Sequence, residues 1–268
     1  DTGSESRILL AAPLAAADLE HLSSHAMTTS DEVTWDSESR TVSARRVRRF
    51  GAIILEQTAL PNPDPALIHR ALIDGIRADG LAVLPWSDRA GRIRERLAFL
   101  HRLDPAWPDV SDAALLGQLE SWLGPALAGV RRKGDLDRLD LAEALLAMLP
   151  WGQRTRLDGL APERITVPSG SAIAIDYGDP AAPVLAVRLQ EVFGLVETPA
   201  IGGGRVPLTM HLLSPAYRPV QVTRDLASFW KSGYFDVRKD LRGRYPKHHW
   251  PEDPLTADAV RGTRRRRD

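Results

Sequence analysis

The chain contains no cysteine, and this absence removes several classes of function at once. A disulfide framework, a thiol nucleophile and a cysteine-ligated zinc or iron–sulfur centre are all excluded. No stretch approaches the roughly 18 consecutive apolar residues of a membrane-spanning helix, and residues 1–6 lack the charged and apolar regions of a signal peptide. We therefore expect a soluble, cytoplasmic protein with no membrane partner.

The sequence also lacks the motifs of a nucleotide-binding site. No Gly-x-x-x-x-Gly-Lys-Ser/Thr loop occurs, and no lysine follows a glycine, so the amides and lysine that cradle a phosphate are missing. Asp31-Glu32-Val33-Thr34 differs from a DExH box at its last position and is interpreted as a turn into a strand.

Ser169-Gly170-Ser171 is not a nucleophile elbow, and residues 202–204 precede a strand and are interpreted as a mobile glycine loop. No residue is nominated as catalytic, and no cofactor is expected in this chain.

A metal site is not expected either. His21 and His25 have the four-residue spacing of two ligands on a helix, but no third ligand or general base of a known motif accompanies them.

Net charge is absent as well, because 35 basic residues balance 35 acidic ones. Only the local distribution of charge can then indicate a nucleic-acid partner. Nearly all of the positive charge is arginine, which suits bidentate phosphate contacts. A GC-rich genome produces the same bias without selection for binding, and we favour that explanation.

What is present is an α+β pattern in several segments. Residues 1–62 read as a small β domain, with a strand at 7–12, a helix at 15–24 and extended segments at 32–35 and 40–57. Pro61, Pro63 and Pro65 mark a boundary, and Asp64 is suited to cap the next helix. Residues 63–160 are predicted to be a helical subdomain that prolines cut into separate helices.

A mixed sheet and a long helix are predicted for residues 161–245. Ile173, Ile175 and Tyr177 alternate onto one face of a strand, and a second strand follows residue 205 in the same way. A single helix over residues 223–244 should pack its apolar stripe on the sheet. Residues 246–268 form a basic tail, which we expect to be disordered from Pro251 onward because few apolar residues are available for burial.

The first candidate nucleic-acid site is a run of arginines. Five arginines and no acid lie between residues 40 and 50, giving a local charge of +5 that suits an RNA backbone. A solvated or acid-paired strand explains the run equally well. The candidate phosphate-binding residues are Arg45, Arg46, Arg48 and Arg49.

The second candidate site lies near the C-terminus. Cations recur at whole-turn spacing along the last predicted helix, and further cations mix with aromatic residues just after it. A solvated helix face is the default alternative, and we favour Tyr245 and Trp250 as anchors of the segment. The candidates are Arg224, Lys231, Arg238, Lys239, Arg242, Arg244 and Lys247, with His248 and His249 beside them.

Several blocks in one order resemble HrpB-type ATP-dependent RNA helicases of the DEAH-box class. They include Asp74-Gly-Ile-Arg, Leu149-Pro-Trp-Gly, Val167-Pro-Ser-Gly-Ser, Leu185-Ala-Val-Arg-Leu-Gln-Glu, Arg205-Val-Pro-Leu, Phe229-Trp-Lys and Gly243-Arg-Tyr-Pro-Lys-His. The resemblance spans roughly residues 8–254. It implies an OB-like accessory part at 1–62 and a family-specific domain at 161–245, with ATP and Mg²⁺ bound by RecA-like motor domains that should precede residue 1.

The resemblance leads us to expect a non-catalytic C-terminal region of a helicase. It would bind single-stranded RNA, contact its own motor domains and modulate them. The alternative is a docking module that recruits a protein partner or braces the motor without touching RNA.

Overall fold

A computed structural model of the chain describes residues 27–263. The strand predicted at 7–12, the helix predicted at 15–24, the His21–His25 pair and the arginines at 264–267 lie outside the described residues. The described residues form two compact units: residues 27–85 with Leu119–Leu139, and Trp86–Gln118 with residues 140–263. This division splits the helical segment at 63–160 between the units. Helices and sheets are mixed, which confirms the α+β class.

The first unit contains a three-stranded antiparallel sheet. Its strands are β1 (Met27–Asp36), β2 (Thr41–Phe50) and β3 (Ile53–Ala59), in the order β1-β2-β3. The segment predicted as one extended run at 40–57 is therefore a hairpin. It turns at Gly51, whose φ of +54° lies in the left-handed region that glycine adopts at little cost. An OB-like architecture for this part stays a prediction.

Helix α1 (Pro65–Asp79) follows the sheet and begins where the prolines and Asp64 predict. The Asp64 side chain accepts a hydrogen bond from the backbone N–H of Ala66 at 2.8 Å. Trp35 of β1 packs directly on Gly75, where an added Cβ would lie 2.1 Å from the indole Cγ. The indole N–H of Trp35 also donates to Asp79 at 2.7 Å. The sheet thus packs on the helix at position 75, where only glycine leaves room for the indole ring.

Short helical elements complete this unit. They are two 3₁₀ turns at Leu81–Val83 and Gly124–Leu127, and helices α4 (Leu119–Trp122) and α5 (Lys133–Leu136).

The second unit has a helical layer built around α2 (Asp88–Leu103). Arg96 of α2 is 3% exposed, and its guanidinium donates to the carbonyl of Ala161 and to the carboxylates of Asp158 and Glu163. A buried guanidinium is tolerated because its donors are satisfied. The other helices are α3 (Asp112–Gly117), α6 (Leu141–Ala147), α7 (Trp151–Arg154) and α8 (Leu157–Leu160).

A five-stranded sheet in the order β10-β9-β6-β5-β4 forms the other layer of this unit. Its strands are β4 (Arg164–Thr166), β5 (Ala172–Asp176), β6 (Val184–Arg188), β9 (Thr209–Leu213) and β10 (Pro219–Thr223). Strands β6 and β9 are parallel, and the other pairs are antiparallel. The predicted alternation is confirmed, because Ile175, Tyr177, Met210 and Leu212 are buried.

A small hairpin, β7 (Ala200–Ile201) and β8 (Val206–Pro207), interrupts this arrangement. Gly202, Gly203 and Gly204 form its turn, and all three have positive φ. The loop that the sequence predicted as mobile is fixed at one end, since the N–H of Gly202 donates to the carbonyl of Leu160 at 2.7 Å.

The single helix predicted at 223–244 is wrong, because two helices occupy this segment. Helix α9 (Leu226–Lys231) and helix α10 (Gly233–Arg244) meet at Ser232, whose φ and ψ of −127° and −64° are not helical. The predicted apolar packing is present on both sides of the break. Phe229, Trp230 and Tyr234 form one aromatic cluster with Phe193.

The prediction of a disordered tail from Pro251 is wrong for its described part. The N–H of Gly194 donates to the carbonyl of Pro254, and the N–H of Val260 donates to the carbonyl of Gln190, both at 2.9 Å. Backbone hydrogen bonds of this kind hold a polar segment without apolar burial. Within residues 27–263, no helix combines the length and the apolar character that crossing a membrane requires.

Candidate nucleic-acid interface

The arginine run of β2 faces acids on β1. Arg46 and Asp31 are directly opposite in the register, and the guanidinium donates to both carboxylate oxygens at 2.7 and 3.0 Å. The hydrogen bond from Arg46 holds the pKa of Asp31 below its usual range. Both side chains are well exposed, so the pair contributes little to stability. Because Asp31 accepts both of these hydrogen bonds, it takes the place that a phosphate would need for bidentate contact with Arg46.

The remaining arginines of this run also have intramolecular partners. Arg49 pairs with Glu32 at 2.9 Å, Arg45 donates to the side-chain oxygen of Gln57 at 3.3 Å, and Arg48 is engaged as well. Residues 27–59 contain five acids and five arginines, so their net charge is zero. The local charge of +5 at residues 40–50 is therefore balanced by the acids of the flanking strands and turn.

Two members of the predicted C-terminal stripe hold the fold together. Arg224 lies between β10 and α9, where it donates to the hydroxyl of Thr209 and the carbonyl of Ala181, both at 3.1 Å. Arg238 is half-buried and donates to the carbonyl of Trp250 at 3.0 Å. The continuous stripe of cations does not exist, because the break at Ser232 interrupts its helical periodicity.

Four of the predicted cations have no partner in the part of the chain that the structure describes. Lys231, Lys239, Arg242 and Lys247 are exposed, and within residues 27–263 no salt bridge or hydrogen bond involves their side chains. Arg244 differs from them, because it pairs with Asp240 one turn earlier at 3.0 Å. Exposed cations without such a partner among the described residues also occur elsewhere, for example Arg70 and Arg102, and these four are the ones that lie within residues 231–247.

Lys239 and Arg242 form no ion pair with the acids of α10 among the described residues. At about 100° per residue, Lys239 and Arg242 fall within about 60° of each other, with Asp236 at a similar angle on the other side of Lys239. Another side of α10 is buried through Tyr234 and Leu241. We call the surface formed by Phe235, Lys239 and Arg242 the basic face of α10.

The segment after α10 is anchored through its aromatic residues, as the sequence led us to favour. Trp250 is buried, and its indole N–H donates to the carbonyl of Tyr245 at 2.9 Å. His248 lies 3.0 Å from the side-chain oxygen of Gln190, and burial together with the nearby charge of Arg188 lowers the pKa of His248. Lys247 projects from this fixed segment into solvent.

A buried ion pair supports the region on which the segment packs. Glu191 is 4% exposed and Arg188 is 17% exposed, with 2.7 Å between the guanidinium and the carboxylate. Burial alone would raise the pKa of Glu191, but hydrogen bonds from Ser171, Arg188 and Ser169 outweigh it and hold the pKa below its usual range. No sequence motif indicated this cluster, which has a structural role.

One cavity that the sequence did not reveal lies in the second unit, lined by Trp86, Arg94, Glu95, His101 and Tyr177 among others. Burial and the charge of Asp176 raise the pKa of Glu95. The Arg94 guanidinium stacks on Trp86 and pairs with Asp112, so its positive charge is already neutralised by a carboxylate. Among residues 27–263 no cluster of His, Asp and Glu is arranged to hold a metal ion.

Comparison with known families matches two parts of the chain. Residues 122–254 match the model described as ATP-dependent helicase C-terminal, and residues 27–60 match the connector region of the ATP-dependent RNA helicase HrpB. These matches place the chain in the class of helicase C-terminal regions.

Relatives agree with this class. The chain is 43% identical over 263 residues to the ATP-dependent RNA helicase HrpB of Escherichia coli K12, covering 97% of this chain and 32% of the relative. The crystal structure of the E. coli DExH-box NTPase HrpB superposes with a TM-score of 0.74 at 43% identity, over 98% of this chain and 33% of that one. A second crystal structure, of the E. coli DEAH/RHA helicase HrpB, gives 0.64 over 84% and 29%.

The chain belongs to the HrpB family of ATP-dependent helicases, as the resemblance in the sequence predicted. It spans about a third of the length of the relatives it matches.

Proposed function

We propose that this chain is a cytoplasmic accessory region of an ATP-dependent RNA helicase that binds single-stranded RNA and modulates the motor. Binding of ATP and Mg²⁺ is assigned to the RecA-like motor domains of such a helicase, because the chain has no phosphate loop. The observation that carries the proposal is that four exposed cations close together in the sequence have no salt-bridge or hydrogen-bond partner within residues 27–263: Lys231, Lys239, Arg242 and Lys247.

Unpaired cations are the appropriate residues for this role. Binding to a phosphate releases condensed counterions from the RNA, and the resulting free energy is available only to a charge that does not have to leave a carboxylate first. The arginines of β2 would have to exchange Asp31 or Glu32 for the phosphate. We therefore assign the main RNA contacts to the C-terminal cations and a smaller role to Arg45, Arg46, Arg48 and Arg49.

Titration of the chain with a labelled, unstructured single-stranded RNA at several salt concentrations tests the proposal. Each phosphate contact contributes about 0.7 to the slope of log K against log salt. The variant Lys239→Glu/Arg242→Glu is expected to lose at least two contacts and to flatten the slope by about 1.4. Absence of binding even at low salt would refute the proposal.

The matched control is Arg70→Glu/Arg102→Glu, which changes the net charge of the chain by the same amount. Both arginines are exposed, and no salt bridge or hydrogen bond of their side chains occurs within residues 27–263. A slope that flattens equally in both variants would indicate a general effect of net charge and would contradict a local site.

A second candidate function is docking on another protein, here the helicase motor domains. The observation that favours it is Trp151 on α7, which is 79% exposed and belongs to the Leu149-Pro-Trp-Gly block. Exposed tryptophan is a frequent centre of protein interfaces. Binding of separately expressed motor domains should weaken at least tenfold in Trp151→Ala, whereas Lys239→Glu/Arg242→Glu should bind them normally. Equal binding by Trp151→Ala and the unmodified chain would eliminate this surface.

A further inference from the structure

Phe235 is an exposed aromatic residue at the N-terminal end of the basic face of α10. Its side chain is 51% exposed, and among residues 27–263 its ring contacts only that of Tyr234, edge-on, with 5.8 Å between the centroids. A single exposed phenylalanine is ordinary on a protein surface. What distinguishes this one is its position beside cations that have no partner within residues 27–263.

The helix places both cations on the C-terminal side of the ring. Lys239 is one turn after Phe235 and Arg242 is two turns after it, rotated by about 40° and about 20° in opposite directions at 100° per residue. Lys239 is therefore a direct neighbour of Phe235 on the helix surface, and Arg242 lies about 10 Å from Phe235 along the same face, at 1.5 Å per residue. A flat group lying on the ring would therefore have positive charges next to it, on a surface with free access to solvent.

The platform is rigid. Tyr234 next to Phe235 is fully buried, lies against Phe193, Phe229 and Trp230, and donates its hydroxyl to the carbonyl of Pro251 at 2.8 Å. Leu241 buries the same side of α10 two turns later. Because the helix cannot rotate about its axis, Phe235 is held outward, and a ligand that stacks on it pays little in ordering the protein.

We infer that Phe235 stacks on an unpaired base, while Lys239 and Arg242 contact the neighbouring phosphates. This inference rests on the proposed RNA-binding function and specifies its substrate class. A base in a duplex has both faces covered by its neighbours, whereas an unpaired base exposes a π face that an aromatic side chain can cover. Phe235 therefore makes the basic face of α10 selective for single strands over duplexes of the same length.

The test compares Phe235→Ala and Phe235→Trp with the unmodified chain, using a labelled unstructured RNA and a duplex of equal length. Loss of one stacked base should weaken single-strand binding about 5- to 100-fold, and Phe235→Trp should restore it. The slope of log K against log salt should not change, because the ring neutralises no phosphate. Duplex binding should change less than twofold.

Trp151→Ala is the control for removal of an exposed aromatic residue, since Trp151 is 79% exposed on α7 and motor domains are absent from this measurement. If Phe235→Ala binds single-stranded RNA normally while Lys239→Glu/Arg242→Glu is impaired, the stacking role is overturned and the proposed function stands. If neither variant is impaired, the proposed function fails as well. Equal losses on single strands and duplexes would also overturn the stacking role.

Discussion

The arginines of β2 and the cations of α10 look alike in the sequence and differ in what surrounds them. In the sheet, the strand beside Arg46 and Arg49 supplies Asp31 and Glu32 at hydrogen-bonding distance. On α10, Lys239 and Arg242 form no ion pair with Asp236 or Asp240, and only Arg244 pairs with an acid on this helix. The denser cluster of positive charge is thus the one that is neutralised.

This difference shows that a basic run becomes a candidate binding site only when its carboxylate partners are counted. Cross-strand neighbours lie about 5 Å apart on a sheet, so alternating acids on one strand can neutralise a basic strand completely. A helix distributes its charges around an axis, which allows acidic and basic faces on the same element. The same net charge therefore has different consequences on the two kinds of element.

The largest effect should come from an arginine whose partner is buried. Arg188→Met keeps the aliphatic bulk but leaves the carboxylate of Glu191, which is 4% exposed, without its cation. We expect the free energy of unfolding to fall by about 3–5 kcal/mol, measured by urea denaturation followed by tryptophan fluorescence. The double variant Arg188→Met/Glu191→Met should recover much of this loss, and a single variant as stable as the unmodified chain would show that pairing does not determine the role of this arginine.

An intermediate effect should come from releasing the arginines of β2. Asp31→Asn/Glu32→Gln removes both negative charges while keeping similar shapes, so that Arg46 and Arg49 become available to phosphate. Binding of single-stranded RNA should strengthen, with a salt slope steeper by up to about 1.4.

Addition of Arg46→Gln/Arg49→Gln to that variant is the control, and it should return the slope to its original value. A released cluster that still does not bind RNA would mean that shape, and not pairing with acids, excludes this surface. The comparison between the two regions would then have to be abandoned.

The smallest effect concerns the segment after α10. Because the folded chain lowers the pKa of His248, the unfolded chain takes up a proton first as the pH falls below about 6.5, and the folded state loses stability in that window. His248→Gln keeps a donor for the Gln190 oxygen and should flatten the fall in unfolding free energy on acidification. An unchanged pH profile in this variant would show that His248 does not contribute to the anchoring.

Local rules predicted a large part of the fold. The prolines and Asp64 located the start of α1, and the period of two located the buried faces of β5 and β9. The helix break was missed although a signal was present, because Ser232-Gly233 is the kind of pair at which helices bend. The sequence carries no comparable signal for the ordered conformation of residues 251–263, because this conformation depends on backbone hydrogen bonds to residues far along the chain.

The candidate site was harder to predict from the sequence than the fold. The eleven proposed cations were chosen from a local run of arginines, from whole-turn spacing and from their mixture with aromatic residues. The partners that occupy Arg46, Arg224 and Arg238 come from other elements. The register of β1 and β2 follows from the turn at residues 37–40, which places Asp31 opposite Arg46 only once that turn is known. Phe235 was overlooked because exposed aromatic residues are visible only after the buried face of the helix has been assigned.

The contact between Trp35 and Gly75 has a consequence for how this connector can vary among related chains. A side chain at position 75 and an indole at position 35 exclude each other, because even one methyl group would lie 2.1 Å from the ring. A chain with a larger residue at position 75 must therefore have a smaller one at position 35, so the two positions should change together. Such paired substitutions would identify, from sequence alone, other chains in which the same sheet docks on the same helix.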